Sequence, residues 1–316
     1  MTAYVTDCAG ARWVLPDPTA WRLEYTAGVP CDSFWLRCPW AEQNPSRPGS
    51  WVGFAAEQGG ERVFTGVVDE CEVSLSAAGR VLELSGRGMA ARLLDNEALG
   101  QDYQSATQAD IIRDHVAPYG ITAAPGAALP PVSRFSVTTG SSEWSVVYEF
   151  ARYYGGVAPR FDRLGRLVLS GWDDSRERVV DDSVRLISLK RRDRRYGALS
   201  QVLVRDRWSG RVERLENSAF RAAGGMARRV ITMPARSSYK AMRYSGRFQL
   251  DKSAAELERV EVTLGEAFCA WPGDLVTVQR SGWEWNGRYR AAQVTVGMDS
   301  KGCWSRLELA PPDFTV

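Results

Sequence analysis

Histidine occurs once, at His115, in a chain of 316 residues. A Ser-His-Asp or Cys-His triad would have to be built on that residue, and its neighbours Ile111 and Ile112 in a predicted helix make it read as a packed or surface histidine rather than a ligand. Long apolar runs are also missing. None approaches the roughly 20 residues that a membrane helix needs, and Met1-Thr2-Ala3-Tyr4 opens neither a basic nor an apolar leader. The expectation is a protein assembled in the cytoplasm. Charge of one sign is scarce: 40 Lys+Arg face 38 Asp+Glu, a formal charge of +2, so any case for nucleic acid must rest on local clusters. The six cysteines (Cys8, Cys31, Cys38, Cys71, Cys269, Cys303) include no Cys-x-x-Cys pair and read as small buried apolar residues rather than metal ligands or disulfides. Gly86-Arg87-Gly88 and Gly224-Gly225 lack the strand-glycine-helix setting of a nucleotide loop, so they read as turns and no cofactor is expected.

What is present is a mainly β pattern around one mixed stretch. At 44% hydrophobic the chain is long enough for two or three cores. Ser141 and Ser142 offer N-cap oxygens before Trp144, Val147, Tyr148, Ala151 and Tyr154, a stripe at helical spacing that Gly155-Gly156 would end. Two short extended runs around Arg163-Leu164-Gly165 follow as a tight reversal.

Before that stretch, residues 21–27, 32–38, 50–57, 61–76 and 80–85 read as strands of a barrel or small sandwich, with Gly28-Val29-Pro30, 45–49, 59–60 and 77–79 as turns. Met89 to Asp95 reads as a short closing helix. Thr107 and Asp110 then precede a helix stopped by Pro118 and Gly120, and 135–138 suits a short strand. After Asp173, strands are expected at 184–190, 198–207, 211–217, 228–233, 275–280, 291–297 and 304–310. A helix is expected at 253–258, and hairpin turns at Pro272-Gly273-Asp274 and Asn286-Gly287. The division expected is 1–96 (first β-barrel), 97–174 (α+β insert) and 175–316 (second β-barrel).

Two acid doublets, Asp173-Asp174 and Asp181-Asp182, invite a glycosidase reading. Neighbouring residues of a strand point to opposite faces, so neither doublet alone flanks a bond, and both read as solvated linkers. The run Lys190-Arg191-Arg192-Asp193-Arg194-Arg195, followed by Arg205, Arg207, Arg211, Arg214, Arg228 and Arg229, makes a locally basic region. Arg191, Arg192, Arg194 and Arg195 are its candidate contact surface, for another subunit or a tube more than for nucleic acid, because only Tyr196 and Trp208 interleave. Of the twelve tryptophans some must serve the cores, and so many also fit a protein that buries a large subunit interface.

In order, these motifs resemble the hub protein of contractile phage tails and phage-like particles, of the XkdQ/YqbQ type and the wider late control D group. The matching segments are Phe64-Thr65-Gly66-Val67-Val68-Asp69, then Ser85-Gly86-Arg87 before the short helix. The Thr107 helix is the next match, then the Trp144 to Gly155 helix with Gly165 in the reversal after it, and Pro272-Gly273-Asp274 with Gly287. An aspartate that often follows the tryptophan is replaced here by Ser145. The resemblance implies two tail-tube-like β-barrel domains bracketing a small α+β domain. It also implies a non-enzymatic homotrimer whose six related barrels join the tail tube to the spike. The partners implied are the tail tube protein, the spike protein, a wedge or LysM-type baseplate protein, and a tape-measure protein in the bore. A peptidoglycan hydrolase and a monomeric carbohydrate- or nucleic-acid-binding module stay open as alternatives.

Overall fold

The computed structural model describes residues 1–27, 31–41, 48–77, 79–153, 157–233, 237–255 and 257–313. The first β region holds β1 (Thr2–Asp7), β2 (Arg12–Val14), β3 (Ala20–Thr26), β4 (Ser33–Pro39), β5 (Trp51–Gln58), β6 (Glu61–Ser76) and β7 (Gly79–Gly88). The short helix α1 (Ala91–Leu94) leads to β8 (Gln101–Ala106), α2 (Gln108–His115), β9 (Val132–Val137) and α3 (Glu143–Ala151). A hairpin of β10 (Arg160–Phe161) and β11 (Leu167–Val168) follows. Then come β12 (Glu177–Asp181), β13 (Leu186–Asp193), β14 (Gln201–Asp206), β15 (Val212–Glu216), α4 (Ser218–Ala222), β16 (Arg228–Met233) and α5 (Tyr239–Ala254). The last strands are β17 (Glu258–Leu264), β18 (Leu275–Gln279), β19 (Gly287–Asp299) and β20 (Gly302–Ala310).

Local chemistry accounts for most of these elements. β3 buries Trp21, Leu23 and Tyr25, and β4 buries Phe34, Leu36 and Cys38, the period of two that puts alternate side chains on one face. Burying such side chains stabilises by about 1.5–3 kcal/mol each. Thr107 and Asp110 form a reciprocal capping box on α2, and Ser142 accepts from the Ser145 N–H to start α3. The expected glycine stop at Gly155-Gly156, with Tyr154, lies outside the described residues, as do Gly28-Val29-Pro30, 45–47 and 78.

The two β regions form one sheet rather than two. Its strands run β13-β17-β20-β19-β3-β4-β7-β6-β5-β1-β2, with β18 on β19 and β12 on β18. The join is β19 on β3, antiparallel from Gln293 opposite Thr26 to Met298 opposite Trp21. One hydrophobic core runs through both regions, from Val5 and Phe54 to Val262 and Leu309. The order β3-β4-β7-β6-β5-β1 in the first region is matched by β13-β17-β20-β19-β18-β12 in the second. In each, the fifth strand pairs only with the first half of the fourth.

The structure changes several expectations. Of the six cysteines read as buried, Cys38 is, Cys31, Cys71 and Cys269 are half-buried, and Cys8 and Cys303 are exposed. Strands 198–207, 211–217 and 228–233, read with the second β region, leave the main sheet as β15-β14-β16, where Val202, Val204 and Met233 share a core with the insert. The helix expected at 253–258 lies earlier, as α5, and Glu258 begins a strand. Its buried stripe contains Ser245, Gly246, Gln249 and Ser253, which carry little apolar periodicity. Gly246 is needed there because a Cβ would lie 2.4 Å from a Leu215 methyl.

Candidate functional site

The motif residues of the first β region converge on a guanidinium. The β6–β7 register slips between Val68 and Glu70, leaving Asp69 as a bulge. The Arg87 Nε and Nη2 donate to Asp69 at 2.7 and 2.9 Å, and its Nη1 and Nη2 donate to Asp95, just past α1, at 2.9 and 2.7 Å. Each carboxylate is gripped in two-point fashion, the geometry that guanidinium favours. These hydrogen bonds hold the Asp95 carboxyl below its ordinary range. Gly66 and Gly86 allow the close crossing: a Cβ on either would lie 2.1 Å from a carbonyl oxygen of the facing strand. The sequence pointed to Asp69 and Arg87 but not to Asp95, which only the path of α1 brings back.

The β10–β11 reversal docks on the same region. Asp162 closes the turn by accepting from the Leu164 and Arg166 N–H groups at 3.0 and 2.9 Å. Gly165 has φ +76°, and a Cβ there would meet Met89 at 2.6 Å. Thr65 in β6 donates to the Arg163 carbonyl at 3.0 Å. Trp144 is buried and packs its ring against Phe161.

Pro272-Gly273-Asp274 forms the third contact. The Trp271 N–H donates to the Asp274 carboxylate at 2.8 Å, and Gly273, at φ +93°, leaves its open face to the Trp172 ring. Behind the turn the buried Arg290 donates to the Gly273 carbonyl and to Asp174, both at 2.8 Å, and to the Pro312 carbonyl at 2.9 Å. Asp174 is thus a latch. Its neighbour Asp173 accepts from the Ser175 N–H, Asp181 from Ser183, and Asp182 from Ser281 while pairing with Arg280. Both doublets are spent on turns and ion pairs.

A cavity of about 430 Å³ lies between the first β region, the β10–β11 hairpin and the Pro272-Gly273-Asp274 turn. Tyr25 and Asp32 come from the first β region, Arg160 and Arg163 from the hairpin, and Trp271 and Asp274 from the second. Burial pushes the Asp32 carboxyl up to about 7, against a lowering hydrogen bond from the Thr26 N–H. Burial likewise raises Asp274 and pulls Arg160 down to about 10. Among the described residues no group of three His, Cys, Asp or Glu side chains could hold a metal. His115 is away from the cavity and buried, with Nδ1 2.6 Å from Glu143 and Nε2 3.0 Å from the Tyr103 hydroxyl, tying α2 to α3.

The basic run divides. Arg191 and Arg192 lie on β13, Arg194 and Arg195 just beyond it, and Arg205, Arg214, Arg228 and Arg229 belong to the small sheet. Arg191 pairs with Glu258 and Asp193, Lys190 pairs with Glu261, and Arg195 donates to the Ala223 carbonyl. Arg192 is exposed and has no ion-pair partner among the described residues. β13 pairs with β17 on one side and with no described strand on the other.

No family model and no curated protein sequence matches the chain. Solved structures do. A tail protein of Neisseria meningitidis is similar with a TM-score of 0.78 at 17% identity, over 98% of this chain and 96% of that one. The 43 kDa tail protein of prophage MuSo2 from Shewanella oneidensis is similar with a TM-score of 0.76 at 17% identity, over 99% and 98%. An Escherichia coli component of the type VI secretion system, described as structurally similar to the T4 bacteriophage tail proteins gp27 and gp5, gives 0.60 at 10% identity, over 93% and 73%. The resemblance read from the sequence is borne out as a shared fold.

Proposed function

We propose that the chain is a structural hub of a contractile tail or related injection particle. Three copies form a ring of six related β units that joins the tail tube to the spike. The observation that carries this reading is the strand order repeated within one continuous sheet, because a subunit presenting two like units lets a threefold assembly match a sixfold tube. The fold shared with tail proteins over nearly their whole length supports it. So does the likeness to a secretion-system component related to tail proteins.

In this reading the division is 1–96, 97–174 and 175–316, with the β14–β16 sheet and α5 packed on the middle part. The motif residues Gly66, Asp69, Gly86, Arg87, Trp144, Gly165, Pro272, Gly273 and Asp274 are structural. Gly66, Asp69, Gly86 and Arg87 brace the first β region at the foot of its short helix, Gly165 and the Pro272-Gly273-Asp274 turn let the insert close on the two β regions, and Gly155 is assigned a structural role by the motif alone. The partners are the tail tube protein, the spike protein and a wedge or LysM-type protein, with a tape-measure protein in the bore. Assembly occurs in the bacterial cytoplasm, and the product sits in the baseplate of the particle. Cryo-electron microscopy of the intact particle tests this. Threefold density for the chain at the junction of tube and spike is expected, and density elsewhere or in another symmetry would refute it.

A further inference from the structure

Two hairpins of the chain are built to one plan. In β6–β7 the register slips between Val68 and Glu70, and in β19–β20 between Ala291 and Gln293. From these bulges the ladders run from Glu70 opposite Ser85 to Ser76 opposite Gly79, and from Gln293 opposite Glu308 to Asp299 opposite Gly302. Both end on a glycine at positive φ, +108° at Gly79 and +110° at Gly302. The flanking strands keep step. One row crosses four strands as Trp21, Leu36, Leu84 and Cys71, and its counterpart as Leu189, Val262, Leu307 and Val294. Position by position, β3 therefore corresponds to β13, and the distal half of β6 to the distal half of β19.

Among the described residues, one pair of these edges is satisfied within the chain. The distal half of β19 takes β3. Its counterpart, Glu70 to Leu75 of β6, has no described strand on the side away from β7, because β5 pairs no farther than Val67. β13, the counterpart of β3, is likewise open on its outer side. The chain thus displays the two halves of a junction that it also contains in closed form.

We propose that β13 of one copy adds antiparallel to the distal half of β6 in the next copy, in the register of the internal junction. This rests on the ring reading and says which edges close the ring. Transferring the register places Glu70 opposite Arg194, because Gln293 faces Thr26. It places Glu72 opposite Arg192, because Thr295 faces Glu24, and Leu75 opposite Leu189, because Met298 faces Trp21. Charge played no part in that transfer, yet it sets two carboxylates against two guanidiniums, the cross-strand pairing that specifies register. Glu70, Glu72 and Arg192 have no ion-pair partners among the described residues, so they are available.

Of the apolar residues on this edge, Leu75 meets Leu189, while Val73 meets the stem of Arg191, because Val296 faces Leu23. Val73 and Leu75 are 45% and 72% exposed, an aggregation liability on an open edge, whereas Val296, the counterpart of Val73, is fully buried where β3 covers it. The contact is head-to-tail, so it either closes a ring or propagates.

Light scattering on four proteins tests the proposal, with far-UV circular dichroism confirming that each is folded. The wild type is expected at three times the 35.1 kDa of one chain. E70R/E72R and R192E/R194E are each expected to fall to the mass of one chain, and the variant carrying all four changes to recover the ring, since its edges are complementary again. A covalent readout is independent of salt. Asp193→Cys places a thiol opposite the native Cys71 of the next copy, within disulfide reach, so mild oxidation is expected to link chains, and adding Cys71→Ser to abolish the links. A ring that persists in both pair-reversed proteins, without linkage through Cys71, overturns the edge assignment and leaves the ring standing. A wild type that remains single at its highest soluble concentration, with no linkage in Asp193→Cys, overturns both.

Discussion

Arg87 and Asp95 share a paired contact, Nη1 to Oδ1 at 2.9 Å and Nη2 to Oδ2 at 2.7 Å, while the same guanidinium holds Asp69. A bulge in β6 and the end of α1 are thereby fixed to one point on β7. The groups are each a third or more exposed, so solvent screens the pairs, and their worth lies in the two-point geometry. Arg87→Ala is expected to destabilise by about 1–2 kcal/mol, read as a shift in urea midpoint. Arg87→Lys should recover little of this, because an ammonium cannot fork to two carboxylates. A lysine variant as stable as wild type would argue against the clamp.

The same contact sets an acid limit. Asp95 titrates below its ordinary 3.8 when folded, so the unfolded chain binds more protons as the pH falls. The stabilisation is full above that ordinary value and is lost as the pH drops through the folded one. Asp95→Asn should flatten the fall in stability below about pH 4, followed by denaturation across a pH series.

Asp32 behaves oppositely. Its folded carboxyl titrates near 7 because burial disfavours the charge, so the folded chain holds a proton that the unfolded chain has released. Stability from this group is full below the ordinary carboxylate range and declines as pH rises toward 7. Asp32→Asn keeps an acceptor for the Thr26 N–H and should remove that decline. An unchanged slope between pH 4 and 7 would place the proton elsewhere.

Gly273→Ala would force a Cβ to 2.2 Å from the Trp172 ring at φ +93°, and Gly165→Ala to 2.6 Å from Met89 at +76°. Gly10, at +83° with nothing within 4 Å, isolates the backbone cost. Gly10→Ala should cost about 1 kcal/mol. Gly273→Ala should cost more, with Gly165→Ala between because a methionine side chain can move aside. Thermal melts of the three variants would order them.

Arg290→Ala would remove a buried side chain and leave the Gly273 and Pro312 carbonyls without its hydrogen bonds, while solvent takes over at Asp174, and a loss of about 2–3 kcal/mol is expected. Asp174→Asn should cost under about 1 kcal/mol, because that carboxylate is largely exposed. Chemical denaturation of both variants compares them directly, and equal losses would contradict this division.

Local signals were legible wherever the deciding contacts lie close in sequence. The Thr107 capping box, the Ser142 cap, the Asp162 reversal and the alternation of β3 and β4 each depend on residues a few positions apart, so a pattern of residue types suffices. α5 escaped because Ser245, Gly246, Gln249 and Ser253 interrupt its buried face of Ala241, Met242, Phe248 and Leu250, and small or polar residues there look like surface until a sheet is placed against them. The acid doublets were readable as polar connecting residues but Asp174 was not readable as a latch, since Arg290 reaches it across 116 positions.

By itself, then, the sequence determined a mainly β chain with a mixed middle, lacking the residues for a triad built anywhere but on His115, and carrying an order of motifs found in tail hubs. Only the tertiary structure decided that β19 joins β3, that Asp95 completes the Arg87 clamp, and that β13 and the distal half of β6 each have one side without a described strand. The physical reason is that backbone edges are chemically alike along any strand. Which of them pair is settled by the three-dimensional register that carries side chains from distant positions onto one row.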